Sequence, residues 1–287
     1  MQDTARAVGL MIGCSVLFAT MATLVGLAHA RDPGLSTLVT SAFRAGVNLV
    51  ALVLLARFDV DLLLGDRRRA LWIRGVLGGI SLVCYFSALA RLGVGVSAFL
   101  NQTSAIWVAL LAPGLLGERT GRMVWVAVAG SLCGVALLAG PRAGEATEWT
   151  GHAFGLASGL TSAGAYLTVR KAGATNKPIT IVFYFTLVAA LSTTTASLVR
   201  REPVPHDPVV LGYLVGAGLA ATFAQLIMTE AYRIGRAGPV AAAGAAGPLF
   251  STLLGWAVLG QVPDRYGAVG MAILLVTGIG LPWLAAR

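Results

Sequence analysis

Ten predominantly apolar runs follow one another along the chain, at 7–28, 36–56, 70–90, 97–116, 123–139, 152–170, 179–199, 208–231, 238–260 and 266–285, separated by short polar, glycine- or proline-bearing stretches. Each is long enough to cross the roughly 30 Å hydrocarbon core of a bilayer, which takes about 20 helical residues. In that medium every backbone amide needs an internal partner, so such runs fold as helices packed on one another. The expected fold class is all-α integral membrane with ten transmembrane helices, and 287 residues leave no length for a soluble domain. A composition 57% hydrophobic and 11% charged, with mean hydropathy +0.81, agrees.

The runs fall into two related sets. Shifting the numbering by 143 lays Ala88 on Ala231, Gly95 on Gly238, Ala98 on Ala241 and Leu116-Gly117 on Leu259-Gly260, so that Glu118 meets Gln261. This divides the chain into a five-helix repeat at 1–141 and a second at 151–287. An odd number of spans inserts the second copy upside down, and inverted repeats of this kind build secondary transporters with a solute site near the bilayer midplane. The first run, ending in Ala28-His29-Ala30, imitates a secretory signal with its cleavage site. It is long for a signal and has a counterpart beginning at Gly155, so it is read as a mature helix.

Orientation follows from the basic residues. With the N-terminus inside, 14 Lys and Arg fall on the inner side, Arg67, Arg68, Arg69 and Arg74 among them, and 6 outside. The positive-inside rule then places both termini in the cytoplasm. The net charge of +9 is spread over these loops and implies no nucleic-acid partner. Small residues recur every fourth position at Gly151, Gly155 and Gly159, at Gly75 and Gly79, at Gly130 and Gly134, and at Gly212 and Gly216, where helices can approach closely. Pro248 follows a run of alanines and glycines and is expected to bend or open the ninth helix.

With these features the sequence resembles the drug/metabolite transporter superfamily in its ten-helix EamA-type branch. The likeness is carried by Gly117-Glu118-Arg119 and Gly260-Gln261, by Pro248, and by Gly130, Gly134, Gly270 and Gly278. It implies an inner-membrane secondary carrier that exports, or less often imports, small metabolites such as amino acids, with a cavity between helices 1, 3, 4, 6, 8 and 9. Gln261 and Ala105 depart from the Glu and Pro common at those places in the family, and the first helix lacks an early Trp, which leaves the substrate subgroup open.

Polar groups are costly in hydrocarbon and turn toward neighbouring helices or water. Ser97, Asn101 and Ser104 share a face of the fourth helix, Ser81 and Tyr85 of the third, Ser158, Ser162 and Tyr166 of the sixth, and Thr222, Gln225 and Thr229 of the eighth. The candidate substrate-binding residues are Tyr85, Asn101, Ser104, Tyr166, Gln225 and Thr229. Trp107, about 120° around the helix from Asn101, is the alternative to that face. The competing role for the amides is an interhelical hydrogen bond, worth about 1 kcal/mol, and for the tyrosines core packing.

Two charges complete the set. Arg44 lies roughly 12 Å into the second run, where it attracts a carboxylate, pairs with a titrating acid, or snorkels to the interface. Glu230 is a candidate proton-coupling carboxylate or an interfacial partner of Arg233 or Arg236. Glu118 and Arg119 read as a structural corner. Cys14, Cys84 and Cys133 lie in separate apolar runs and His29, His152 and His206 in separate loops, so no metal, disulfide or cofactor is expected.

The expected function is secondary transport of a small metabolite, with amino-acid export as the first reading and protons as a possible coupling ion. Uptake or exchange of a quaternary ammonium compound, a vitamin or a nucleoside-like solute is the second. A membrane enzyme or lipid-handling protein is the third, opposed by the lack of HExxH, G-x-S-x-G or phosphate-loop patterns. Bilayer lipid is the surrounding partner, and the sequence leaves the oligomeric state open.

Overall fold

The computed structural model describes residues 2–66, 69–139, 149–260 and 262–286, and every regular element among them is helical. In chain order these are α1 (Gln2–Arg31), α2 (Thr37–Leu55), α3 (Val60–Leu64), α4 (Arg69–Gln102), α5 (Ser104–Leu116), α6 (Arg122–Ala139), α7 (Trp149–Ala172), α8 (Pro178–Val199), α9 (Pro208–Ile234), α10 (Ala237–Ala243), α11 (Ala246–Leu259), α12 (Arg265–Leu274), a π-helical segment Leu275–Gly280, and α13 (Leu281–Ala286). Helix starts follow local chemistry. Side-chain oxygens of Ser36, Asp59, Asp207 and Asp264 cap α2, α3, α9 and α12, and Pro178 and Pro208 open α8 and α9.

Eight segments are long and apolar enough to cross a membrane, and Arg122–Leu137 is a shorter apolar helix. Large apolar side chains on α2, α4, α6, α8, α9, α11 and α12 are exposed, as a lipid-facing belt requires. The sixth predicted run, within α7, is instead rich in Gly, Ser and Thr, and buries Gly151, Gly155, Ser158, Gly159 and Ser162 against its neighbours.

The third and fourth runs are not divided by a loop, because α4 stays helical from Arg69 to Gln102. Yet Ser81 and Asn101 both reach Ser162, at 2.6 Å and 3.4 Å, whereas twenty residues of straight helix would hold them roughly 30 Å apart. The chain therefore reverses within α4, between those residues. The interruption comes later, at Thr103, and its counterpart in the second half lies at Gly244-Ala245, between α10 and α11. Pro248 does not itself make that break. It is the third residue of α11, a first-turn position where a missing N–H costs no intrahelical bond. Both broken helices end alike, on Gly117 and Gly260 in left-handed conformation with φ +69° and +67°. Gln261, Arg67 and Arg68 lie outside the described residues, as does the junction at 140–148.

Packing shows a pattern of exchange. α1 lies on α9 and α11 as α7 lies on α4 and α5; α4 packs on α8 as α9 packs on α2; and α2 with α8 and α6 with α12 are direct pairs. Glycines set several of these distances. A Cβ on Gly155 or Gly159 would run into Leu100, one on Gly75 would come 2.8 Å from the Tyr184 carbonyl, and one on Gly134 would come 3.0 Å from the Gly270 carbonyl. Gly212 departs from expectation, with open space beside it, and only Gly216 of that stripe meets a neighbour.

The two ends of the bundle differ. At the end bearing both termini, Trp283 of α13 lies 3.4 Å from the Cβ position of Gly9, and the largest buried cluster joins α1, α5, α7, α9 and α10 through Val8, Val108, Leu167, Tyr232 and Val240. The opposite end holds smaller clusters and the exposed Arg31–Asp207 ion pair at 2.9 Å. That guanidinium, with the Val209 amide, holds the Asp207 carboxyl below its usual range. Here α4 and α1 do not pack as α7 and α9 do at the termini end, among the described residues.

Candidate functional site

A two-lobed cavity opens in the middle of the bundle. One lobe, about 280 Å³, is bounded by α1, α2, α4, α7, α8 and α9; the other, about 450 Å³, lies between α1, α4, α10, α11 and the floor of α7 and α9. They share Phe18, Met21, Tyr85, Gln102, Tyr166 and Pro248 as common wall. A larger groove of about 770 Å³ between α2, α8 and α9 faces outward, is almost wholly apolar and lies within the lipid-facing belt. Convergent polar groups mark a solute site, and the central cavity has them in the middle of the bundle; a smaller polar cavity of about 160 Å³, lined by Glu118, Arg119, Thr120, Arg122 and Arg236, lies at the termini end.

The serines come together first. Ser81 Oγ donates to the Ser158 carbonyl at 3.0 Å and lies 2.6 Å from Ser162 Oγ, while Asn101 Nδ2 donates to Ser158 Oγ at 3.1 Å. Small residues on α7 let α4 approach closely enough for these bonds, which tie the two arms of α4 to one face of α7. Asn101 thus makes the interhelical bond that was its competing role and also lines the cavity.

Of the sequence candidates, Arg44, Tyr85, Asn101, Tyr166 and Gln225 meet in the smaller lobe, and Ser104 lines the larger. Gln225 Oε1 is buried there without a partner. Tyr166 stacks on Tyr232, with centroids 4.8 Å apart and planes 10° from parallel, which floors the cavity toward the termini end. Three candidates lie elsewhere. Thr229 is fully buried on α9 away from both lobes, Trp107 packs against the main core, and Glu230 is held by Arg233 in two bonds of 2.6 and 2.7 Å. The cavity-lining side of α9 carries Gln225, Met228 and Tyr232, and at 100° per residue Thr222 and Thr229 turn about 40–60° to one side of Gln225, into the neighbouring helices.

Arg74 was assigned to the inner-side loops by the charge count, and the structure corrects this. It is 2% exposed, lines the smaller lobe, and its guanidinium stands 4.7 Å from the centroid of the Phe185 ring. A side chain on Gly78, one turn along, would collide with that guanidinium, so glycine makes the room. With Arg74 removed from the inner count, 13 basic residues remain against 6, and the orientation rule points the same way. Arg44 is the second cavity cation; its Nη1 finds only the Met21 sulfur at 3.7 Å. Its helix, outside the six that the resemblance sets around the cavity, contributes this side chain to the smaller lobe.

Glu118 is more than a corner. Its carboxylate accepts from Arg170 Nε at 3.2 Å and from the Ala237 amide at 2.8 Å, while Arg170 Nη1 donates to the Arg233 carbonyl at 2.7 Å and Arg236 donates to the Arg119 carbonyl. These bonds join the end of α5 to α7, α9 and α10 below the tyrosine floor.

Over residues 5–140 and 149–281 the sequence matches the EamA-like transporter family. It is 29% identical over 274 residues to the pseudopaline exporter CntI of Pseudomonas aeruginosa, covering 95% of this chain and 94% of that protein. It is 28% identical over 187 residues to the riboflavin transporter of Vibrio cholerae, covering 62% and 59%. A solved crystal structure shares the fold with a TM-score of 0.83 at 18% identity, over 99% of this chain and 98% of that one.

Proposed function

The chain belongs to the EamA-like transporter family and is a multi-pass inner-membrane protein, and from that premise we propose that it is a secondary carrier exporting a small amino-acid-like metabolite. It spans the membrane ten times as two inverted five-helix halves, 1–141 and 151–287, with both termini cytoplasmic. The exchange pattern of helix packing and the paired helix breaks support the two halves. The observation that carries the function is the polar central cavity, to which both halves contribute: Arg44, Arg74, Tyr85 and Asn101 from one, Tyr166 and Gln225 from the other.

With the termini inside, the structure is the outward-open state, sealed on the cytoplasmic side by the tyrosine floor and the Glu118 bonds. Tyr85, Asn101, Ser104, Tyr166 and Gln225 hold the solute. Protons are the candidate coupling ion, with the gradient rather than nucleotide as the energy source. The riboflavin transporter relative favours a second reading, uptake of a vitamin-like solute through the same cavity.

The test is uptake of labelled aliphatic and aromatic amino acids, choline, riboflavin and a nucleoside into proteoliposomes, with and without an imposed proton gradient. Amino-acid uptake weakened about tenfold or more by Tyr85→Ala or Tyr166→Ala is expected, and Glu230→Gln, remote from the cavity, is expected to leave any uphill component intact. Uptake of riboflavin alone selects the second reading, and inactivity toward every solute by folded protein rejects both.

A further inference from the structure

Both formal charges in the central cavity are positive, and no Asp or Glu lines either lobe. Arg74 is nearly inaccessible, its Nε has no partner among the described residues, and its guanidinium stacks on Phe185. Arginine does not shed its proton in a protein, so this charge cannot be removed by neutralisation. Burying an unpaired ion is costly, and its usual remedy is a carboxylate within reach. None is free nearby: Glu118 is engaged by Arg170 and Ala237, and Glu230 by Arg233. Arg44 enters the same lobe from another helix, and its hydrogen-bond partner among the described residues is the Met21 thioether. The missing counter-charge has to come with the cargo.

We infer that the cargo is an acidic, amino-acid-like metabolite with two carboxylates, one for each of Arg44 and Arg74. This rests on the transporter reading above and narrows it. Each guanidinium offers a planar fork of donors that a carboxylate matches in two parallel bonds. The unpartnered Gln225 Oε1 in the same lobe accepts from the amine, and Phe18, Met21 and Phe185 provide an apolar wall for the carbon chain. Gly78 belongs to the device, because any side chain there would displace the Arg74 head group. A quaternary ammonium solute is repelled by the same pair of cations.

Counterflow in proteoliposomes tests this, with L-glutamate, succinate, L-leucine, choline, riboflavin and glycerol 3-phosphate as probes. Glutamate is expected to exchange at least about tenfold faster than leucine, and Arg44→Gln and Arg74→Gln each to remove about tenfold or more of that exchange. Melting of the purified protein adds an independent reading. Arg74→Met, which releases an unpaired buried charge, is expected to melt higher than the wild type, and glutamate to raise the melting temperature of the wild type but not of the variant. Leucine exchanged as fast as glutamate, indifferent to both arginine variants, overturns the diacid while the amino-acid carrier stands. Preference for glycerol 3-phosphate also overturns it, and exchange of choline or riboflavin alone overturns the diacid and the amino-acid carrier together. An Arg74→Met protein that melts lower yet exchanges glutamate normally makes Arg74 a structural residue and sinks the inference.

Discussion

Gly159 and Gly212 separate a glycine that sets a helix distance from one that does not. A Cβ on Gly159 would lie 2.9 Å from the Leu100 carbonyl and 3.3 Å from that of Asn101, so a side chain there pushes α7 from α4 and pulls Ser158 and Ser162 away from Asn101. Gly159→Leu is expected to destabilise by about 1–3 kcal/mol or more, the cost of overpacking. Gly212→Ala, with nothing within 4 Å of the new methyl, is expected to be neutral or slightly stabilising. Thermal melting of the two variants in detergent checks both. Sequence spacing placed both glycines in equivalent stripes, because period alone shows which face is small and not what lies opposite. Arg74 was misplaced for a related reason: it follows Arg67, Arg68 and Arg69 and inherits their loop, although its position five residues into α4 already sets it within the apolar run. Arg44 stood out as the one charged residue in the run 36–56.

Helices were legible where apolar length and caps agreed, and less so where the chain breaks within a span. Thr103 interrupts the fourth span without a proline, and Pro113, a little further on, sits inside α5 without ending it. The signal that was readable, Leu-Gly at both helix ends, corresponds to matched left-handed caps at Gly117 and Gly260. The polar residue after the first of these holds α5 to α7 and α10, which makes it a latch on the closed end. Glu118→Gln keeps the amide bond to Ala237 and weakens the ion pair to Arg170, shifting the population toward the state open at the termini end. Cys14, buried at the cavity floor, reports that shift. In a background with Cys84 and Cys133 replaced by Ser, its labelling by a membrane-impermeant maleimide from the termini side is expected to rise several-fold in the Glu118→Gln protein. Equal labelling in both proteins would show that other contacts hold this end shut.

At the scale of the whole molecule, an exchange of the two proposed halves carries most helix pairs onto different pairs. The stacking of α7 on α9 and of α5 on α10 closes one end, and the corresponding pairs at the other end stand apart among the described residues. Two pairings, α2 with α8 and α6 with α12, are carried onto themselves. In the proposed alternating-access cycle they have no alternative arrangement to adopt, so they would serve as fixed axles about which the remaining helices trade places. At the second axle, Thr277 Cβ lies 3.2 Å from the Cβ position of Gly130, within reach of a disulfide. In a cysteine-free background, oxidising Gly130→Cys with Thr277→Cys is expected to leave counterflow nearly unchanged, whereas joining Glu118→Cys to Ala237→Cys with a short bifunctional thiol reagent is expected to stop it. Under that proposal the carrier would rock without ever separating its two halves, and the bilayer would never meet an open seam on either edge of the bundle.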